Sequence, residues 1–148
     1  MNRKIITMLC IFVLIGCQKN DIDILNGKNT NIDELKGQWI VVNYWADWCA
    51  PCIKEIPEIN DFANENEDIK VFAFNFDYLE KDDLKPLVNK FNIQFPSLIS
   101  HPKDIWLIET PPAIPATYFI DPNGNVKVSL IKPQTKESLT NVLSDVRN

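Results

Sequence analysis

The stretch from Trp39 to Cys52 constrains this chain more than any other. Trp39 to Trp45 is an apolar, β-branched and aromatic run, the pattern of a strand buried on both faces. Ala46, Asp47 and Trp48 follow, then Cys49, Ala50, Pro51 and Cys52, after which Ile56, Ile59, Phe62 and Ala63 carry helical spacing to about Asn66. Cysteines three apart lie on one helical face, near enough to close a small disulfide ring. Cys49 precedes the first helical turn, where unpaired amide N–H groups and the helix dipole favour a thiolate, so it is expected to be the nucleophile. Cys52 lies further into the turn and is placed to resolve a mixed disulfide. Pro51 fixes φ at the helix start without wasting an amide donor. A closed zinc site is a poor alternative, because it needs about four ligands and His101 is the only histidine. A purely structural disulfide would close too small a loop to stabilise much.

The remaining periodicities predict a strand over Ile69–Phe76, a helix over Asp82–Phe91 with Pro86 early in it, and a kink where Pro57 interrupts the preceding helix. Phe95 to Pro112 is proline-rich and reads as a surface run with a short helix near Asp104–Ile108. Ala116–Ile120 and Asn125–Ile131 read as a hairpin joined by the turn Asp121-Pro122-Asn123-Gly124, and Thr135 as the cap of a last helix to about Val146. Asn31 to Lys36 reads as one helical turn ended by Gly37. Parallel strand-helix-strand pairing followed by an antiparallel hairpin gives an α/β fold, a mixed central sheet flanked by helices.

Upstream, Arg3 and Lys4 precede an apolar run from Ile5 to Ile15 and then Gly16 and Cys17, the layout of a secretory signal too short for a lasting transmembrane helix. Leu14-Ile15-Gly16-Cys17 resembles a bacterial lipobox, which implies cleavage before a lipidated Cys17 and a membrane anchor. Of the four cysteines, Cys10 would then leave with the leader and Cys17 would be acylated, so that only Cys49 and Cys52 stay available for chemistry. A formal net charge of −5 gives no electrostatic reason to bind nucleic acid. Gln18 to Thr30 is polar and fits either a tether or, through Ile22–Leu25, an added edge strand.

The run VVNYWADWCAPCIKEIPEIN, Val41 to Asn60, resembles the TlpA/ResA branch of thioredoxin-like proteins, membrane-tethered thiol-disulfide oxidoreductases. The similarity continues through Phe95-Pro96, Ile114 to Thr117 and Asp121 to Gly124 into the last helix. It implies a thioredoxin-like domain over residues 31–148, after a leader over 1–16 and a lipidated cysteine with tether over 17–30. It also implies a cis Pro115 lying against the disulfide, with the backbone of Ile114 free to pair with a substrate strand. Glu55, one helical turn after Cys52, matches an acid the branch often carries. It would accept the Cys52 proton or tune its pKa, unless it is a solvated helix-face residue. Where thioredoxin has a buried aspartate this chain has Asn43, which cannot serve as a base. Ala116, where cytochrome c maturation members carry a polar residue, weakens a haem-assembly role.

Trp48, Ala50 and Pro51 border the expected substrate face, whereas Trp45 reads as core. His101 reads as a loop residue, and the acidic cluster Asp77, Glu80, Asp82 and Asp83 as a solvated helix start. The expected activity is exchange of a disulfide between the Cys49/Cys52 pair and extracytoplasmic protein disulfides or thiols, without a cofactor or metal, fed by an upstream membrane electron donor. The Ala-Pro dipeptide lacks a histidine to stabilise the thiolate further and so favours a reductant. Two alternatives use the same residues: a copper-binding metallochaperone or assembly-factor module, and a thiol peroxidase. The peroxidase would need an activating arginine, and Arg147 is the only one outside the leader.

Overall fold

A computed structural model describes residues 22–148; the leader, Cys17 and its lipidation lie outside the described residues. The strands are β1 (Ile24–Leu25), β2 (Ile40–Trp45), β3 (Lys70–Asn75), β4 (Ser97–Leu98), β5 (Ala116–Ile120) and β6 (Val126–Leu130). The helices are α1 (Ile32–Leu35), α2 (Ala50–Glu65), α3 (Lys81–Lys90), α4 (Pro102–Trp106) and α5 (Lys136–Arg147). The strands form one six-stranded mixed sheet in the order β1-β4-β3-β2-β5-β6. β2 pairs parallel with β3 and antiparallel with β5, which puts it at the centre, and all six of its residues are buried.

Side chains alternate across β2 as the pleat requires. Val41 and Trp45 join Ile56, Ile59 and Phe62 of α2 and Leu139 and Leu143 of α5 in one core. Ile40, Val42 and Tyr44 join Phe72, Phe74, Tyr118 and Trp106 in a second core on the other face. Each fully buried aliphatic or aromatic side chain contributes roughly 1.5–3 kcal/mol, so a strand apolar on both faces ties the two layers together.

Several segments depart from the sequence reading or resolve what it left open. Phe95 to Pro112 does not simply run over the surface: Phe95, Leu98, Trp106 and Ile108 are buried, and Ser97–Leu98 is the strand that joins β3 to β1. The helix in this segment starts at Pro102, capped by His101, whose Nδ1 accepts the Lys103 N–H at 2.9 Å, and Leu107 ends it with φ 56°. Pro86 sits in the interior of α3, beyond the first turn where proline is tolerated; its missing N–H leaves the Asp82 carbonyl without its helical bond. Finally, the described part of Gln18–Thr30 takes the edge-strand form. Ile22 pairs with Thr30, Ile24 with Leu98 and Leu25 with Ser97, and all three apolar side chains are buried. α2 spans Ala50–Glu65 with Pro57 inside it.

Candidate active site

β2 delivers the chain to the site. After Trp45 the backbone turns, with the Cys49 N–H donating to the Ala46 carbonyl at 3.2 Å, and α2 begins at Ala50 with Pro51 in its first turn. Cys49 is the N-cap of α2, its Sγ accepting the Cys52 N–H at 3.3 Å. The two cysteines form a disulfide, with Cα atoms 5.3 Å apart. Only Cys49 retains any exposure, 5% against 0% for Cys52, and Ala50 and Pro51 beside them are exposed. Cys49 is thus the more open of the two, at a helix terminus whose dipole favours a thiolate.

β5 brings in the second element. Tyr44 pairs with Ala116, so the loop just before β5 lies at the end of β2 from which the cysteines spring. The Ile114–Pro115 bond in that loop is cis, Pro115 is buried and Ile114 is half-buried. Trp48 stands out on the same side, 61% exposed, its indole N–H donating to Asp77 Oδ2 at 2.7 Å and its ring edge-on to Phe76. Trp45 is fully buried.

Glu55 is not a solvated helix-face residue. It is 2% exposed, one turn along α2 from Cys52. Its Oε1 accepts from Asn43 Nδ2 at 2.7 Å and its Oε2 from the Gln134 backbone N–H at 2.8 Å. Burial pushes its carboxyl up to about 7, with the Gln134 and Asn43 hydrogen bonds pulling the other way. A carboxyl balanced near neutrality one helical turn from Cys52 can take and return a proton near neutral pH.

Two partners of Glu55 were not visible as such from sequence. Asn43 entered only as a missing aspartate, and Gln134, whose backbone closes the site from the start of α5, carries no side-chain signal. The available hint for Asn43 is a polar residue in an otherwise apolar strand. His101 takes no part here; it stacks on Tyr78 with ring centroids 4.8 Å apart. Among the described residues no three His, Cys, Asp or Glu side chains converge as a metal site, and no helix is long and apolar enough to cross a membrane.

The sequence pattern of the AhpC/TSA family matches residues 15–129. Thiol-disulfide oxidoreductase ResA of Bacillus thuringiensis is 32% identical over 123 residues, covering 82% of this chain and 71% of that protein. Among solved structures, the exposed lipoprotein thioredoxin Etrx1 of Streptococcus pneumoniae is similar with a TM-score of 0.70 at 20% identity, over 84% of this chain and 98% of that one. A secreted thiol-disulfide isomerase from Corynebacterium glutamicum is similar with a TM-score of 0.63 at 23% identity, over 78% of this chain and 74% of that one.

Proposed function

This chain belongs to the AhpC/TSA family, has the thioredoxin fold and is a thiol-disulfide oxidoreductase of the ResA kind, and from that premise we propose that it works as a lipid-anchored, extracytoplasmic reductant of protein disulfides. Cys49 attacks the substrate disulfide, Cys52 resolves the mixed disulfide, and Glu55 accepts the proton that Cys52 must lose. The observation that carries this assignment is the buried Glu55 carboxyl one helical turn from Cys52, held by Asn43 and Gln134. A buried thiol away from any cation is a poor nucleophile until a base removes its proton.

The reductant direction is supported by the Ala-Pro pair between the cysteines, which adds no charge or donor to favour the thiolate beyond the helix terminus. Ile114, next to the cis Pro115, offers its backbone to an extended substrate, and Trp48, Ala50 and Pro51 form the exposed rim it would cross. The lipobox-like Leu14 to Cys17 supports anchoring, and similar proteins described as secreted and as an exposed lipoprotein support export. A membrane thiol-disulfide donor would return electrons to the pair. A peroxidase role is not favoured, since Arg147 is engaged at the far end of α5 with Asp68 at 2.7 Å.

The test is a pair of variants assayed for reduction of insulin disulfides, with the full-length protein labelled by a fatty-acid analogue. Cys49→Ser is expected to lose turnover, Cys52→Ser to accumulate mixed disulfides, and Cys17→Ala to lose the label. Turnover retained by Cys49→Ser would overturn the mechanism, and a label that persists in Cys17→Ala would overturn the anchor.

A further inference from the structure

Asn43 lies in β2 directly across from Thr117 in β5, two residues beyond the cis Pro115. Its Nδ2 donates to Glu55 Oε1 at 2.7 Å and to Thr117 Oγ1 at 3.1 Å, so both amide protons are engaged. Its Oδ1 is buried and has no hydrogen-bond partner among the described residues. Nothing therefore fixes which way round the amide lies except the groups facing its donor end.

We propose that Asn43 is the positioning residue for proton transfer at the cysteine pair. Its amide holds the charged form of Glu55 by donating to it, and it turns over when Glu55 takes the proton of Cys52. The inference rests on Glu55 being the proton acceptor, and it follows from counting donors and acceptors. An ionised carboxylate only accepts, so it requires the N–H end of the amide. Once protonated, Glu55 must carry its hydrogen on Oε1, because Oε2 faces the Gln134 N–H, which can only donate. That hydrogen would point at the Asn43 amide hydrogens. A half-turn of the amide, which exchanges O and N on the same outline, removes the conflict. Oδ1 then accepts from the Glu55 hydroxyl and from the Thr117 hydroxyl, whose rotor is free to switch from acceptor to donor. The charged form pairs both amide hydrogens, whereas the half-turn leaves them on the buried side where Oδ1 has no partner, so Asn43 favours the charged form.

The Cys52 proton passes to the Glu55 carboxylate, and the Cys52 thiolate attacks Cys49 Sγ in the mixed disulfide. The Cys49–Cys52 bond forms as the bond from Cys49 to the substrate sulfur breaks, the electron pair leaves on that sulfur, and the Glu55 proton passes on to water. The pair is oxidised and the substrate reduced. The elements packed around Glu55 also carry Lys54, Glu58 and Asp61 on α2, Lys132 before α5 and Lys136 on it; burial and hydrogen bonds, not these charges, act on the Glu55 carboxyl.

The test follows the oxidised wild-type protein by NMR across the Glu55 titration. Contacts between the Asn43 amide protons and the Glu55 Cγ protons are expected above the Glu55 midpoint and lost below it. Persistence of those contacts below the midpoint overturns the half-turn. In parallel, Asn43→Leu, which removes the donor and keeps the branched outline, should raise the Glu55-dependent break in the profile of reduction potential against pH by about one unit. The same substitution in a Glu55→Gln background should move nothing further. A shift of equal size in both backgrounds assigns Asn43 a merely structural role and overturns the proposal. A wild-type profile identical to that of Glu55→Gln defeats the proton-acceptor reading itself, a different failure from either of these. If Asn43→Leu does not fold, the wild-type contacts decide alone.

Discussion

Glu55 Oε2 accepts the backbone N–H of Gln134 at 2.8 Å, a bond between residues 79 apart in the chain that seats the start of α5 on the middle of α2. Lys136 repeats the arrangement one helical turn on, its N–H donating to Glu58 Oε2 at 2.9 Å. Two carboxyls of α2 thus meet the N-terminal end of α5, where the helix dipole favours negative charge. The last helix of the fold thereby becomes part of the environment of the cysteine pair.

Stability should depend on pH through Glu55. Burial raises its carboxyl from an ordinary 4.5 to about 7, so between these values the native protein holds a proton that the unfolded chain has released. Stability should therefore fall as pH rises through this window, by an amount on the order of 3 kcal/mol, with no further change from this group above it. Urea unfolding of the oxidised protein at a series of pH values, with Glu55→Gln alongside, measures the slope. Identical slopes for the two proteins would contradict the assignment.

Trp48→Ala should act on substrates according to their size. The indole is largely exposed and is fixed by Asp77 and Phe76, so it offers a rigid apolar face beside Cys49 at little entropic cost. Loss of that face should reduce kcat/KM for a protein disulfide by about tenfold, equivalent to an aromatic contact of about 1.4 kcal/mol. Reduction of a small aromatic disulfide should change by less than about twofold, since it needs only the sulfur. An equal loss for both substrates would mean that Trp48 serves the cysteine turn itself.

Leu139→Ala should cost about 2–5 kcal/mol, because Leu139 is fully buried in the core shared by α5, α2 and β5, where neighbours relax only partly into a cavity. Ile131→Ala, 43% exposed just after β6, should stay within about 0.5 kcal/mol. Chemical denaturation midpoints at constant m-value measure both.

Deleting the chain through Thr30 should weaken the fold even though it leaves every residue around the cysteine pair in place. Ile22, Ile24 and Leu25 are buried, and β1 covers the free edge of β4. Their loss should cost at least about 3 kcal/mol and expose an edge open to pairing between molecules. Thermal unfolding with light scattering would detect both effects. An unchanged midpoint would mean that these residues only decorate the sheet.

The parts of this fold legible in sequence are those with long apolar patterns. Trp39–Trp45 announces the central strand and Cys49–Cys52 the helix start, because burial on two faces and a cysteine spacing are local signals. β4 is not legible, since two residues after Pro96 are too few to display alternation. Nor was the burial of Glu55 settled by its position: three residues after Cys52 leaves open which side of α2 is covered, and that depends on Gln134, far away in the chain. The hydrogen bond from Asn43 requires β2 and α2 to be docked before its partner is known. Local chemistry was readable, and pairing across distance was not.

Just before β1, the Asp23 carbonyl takes the N–H groups of Ile99 and Ser100. β4, β3 and β2 run parallel to one another, and β1 runs against them, so this is the same end of the sheet at which β2 hands the backbone to Cys49. Only three strand spacings, roughly 14 Å, separate β1 from β2. The segment from Cys17 to Ile22 reaches roughly 17 Å at full stretch. Under the anchoring proposed at Cys17, the lipid would moor the domain by its reactive end and turn the enzyme toward disulfides on proteins lodged in or against that membrane.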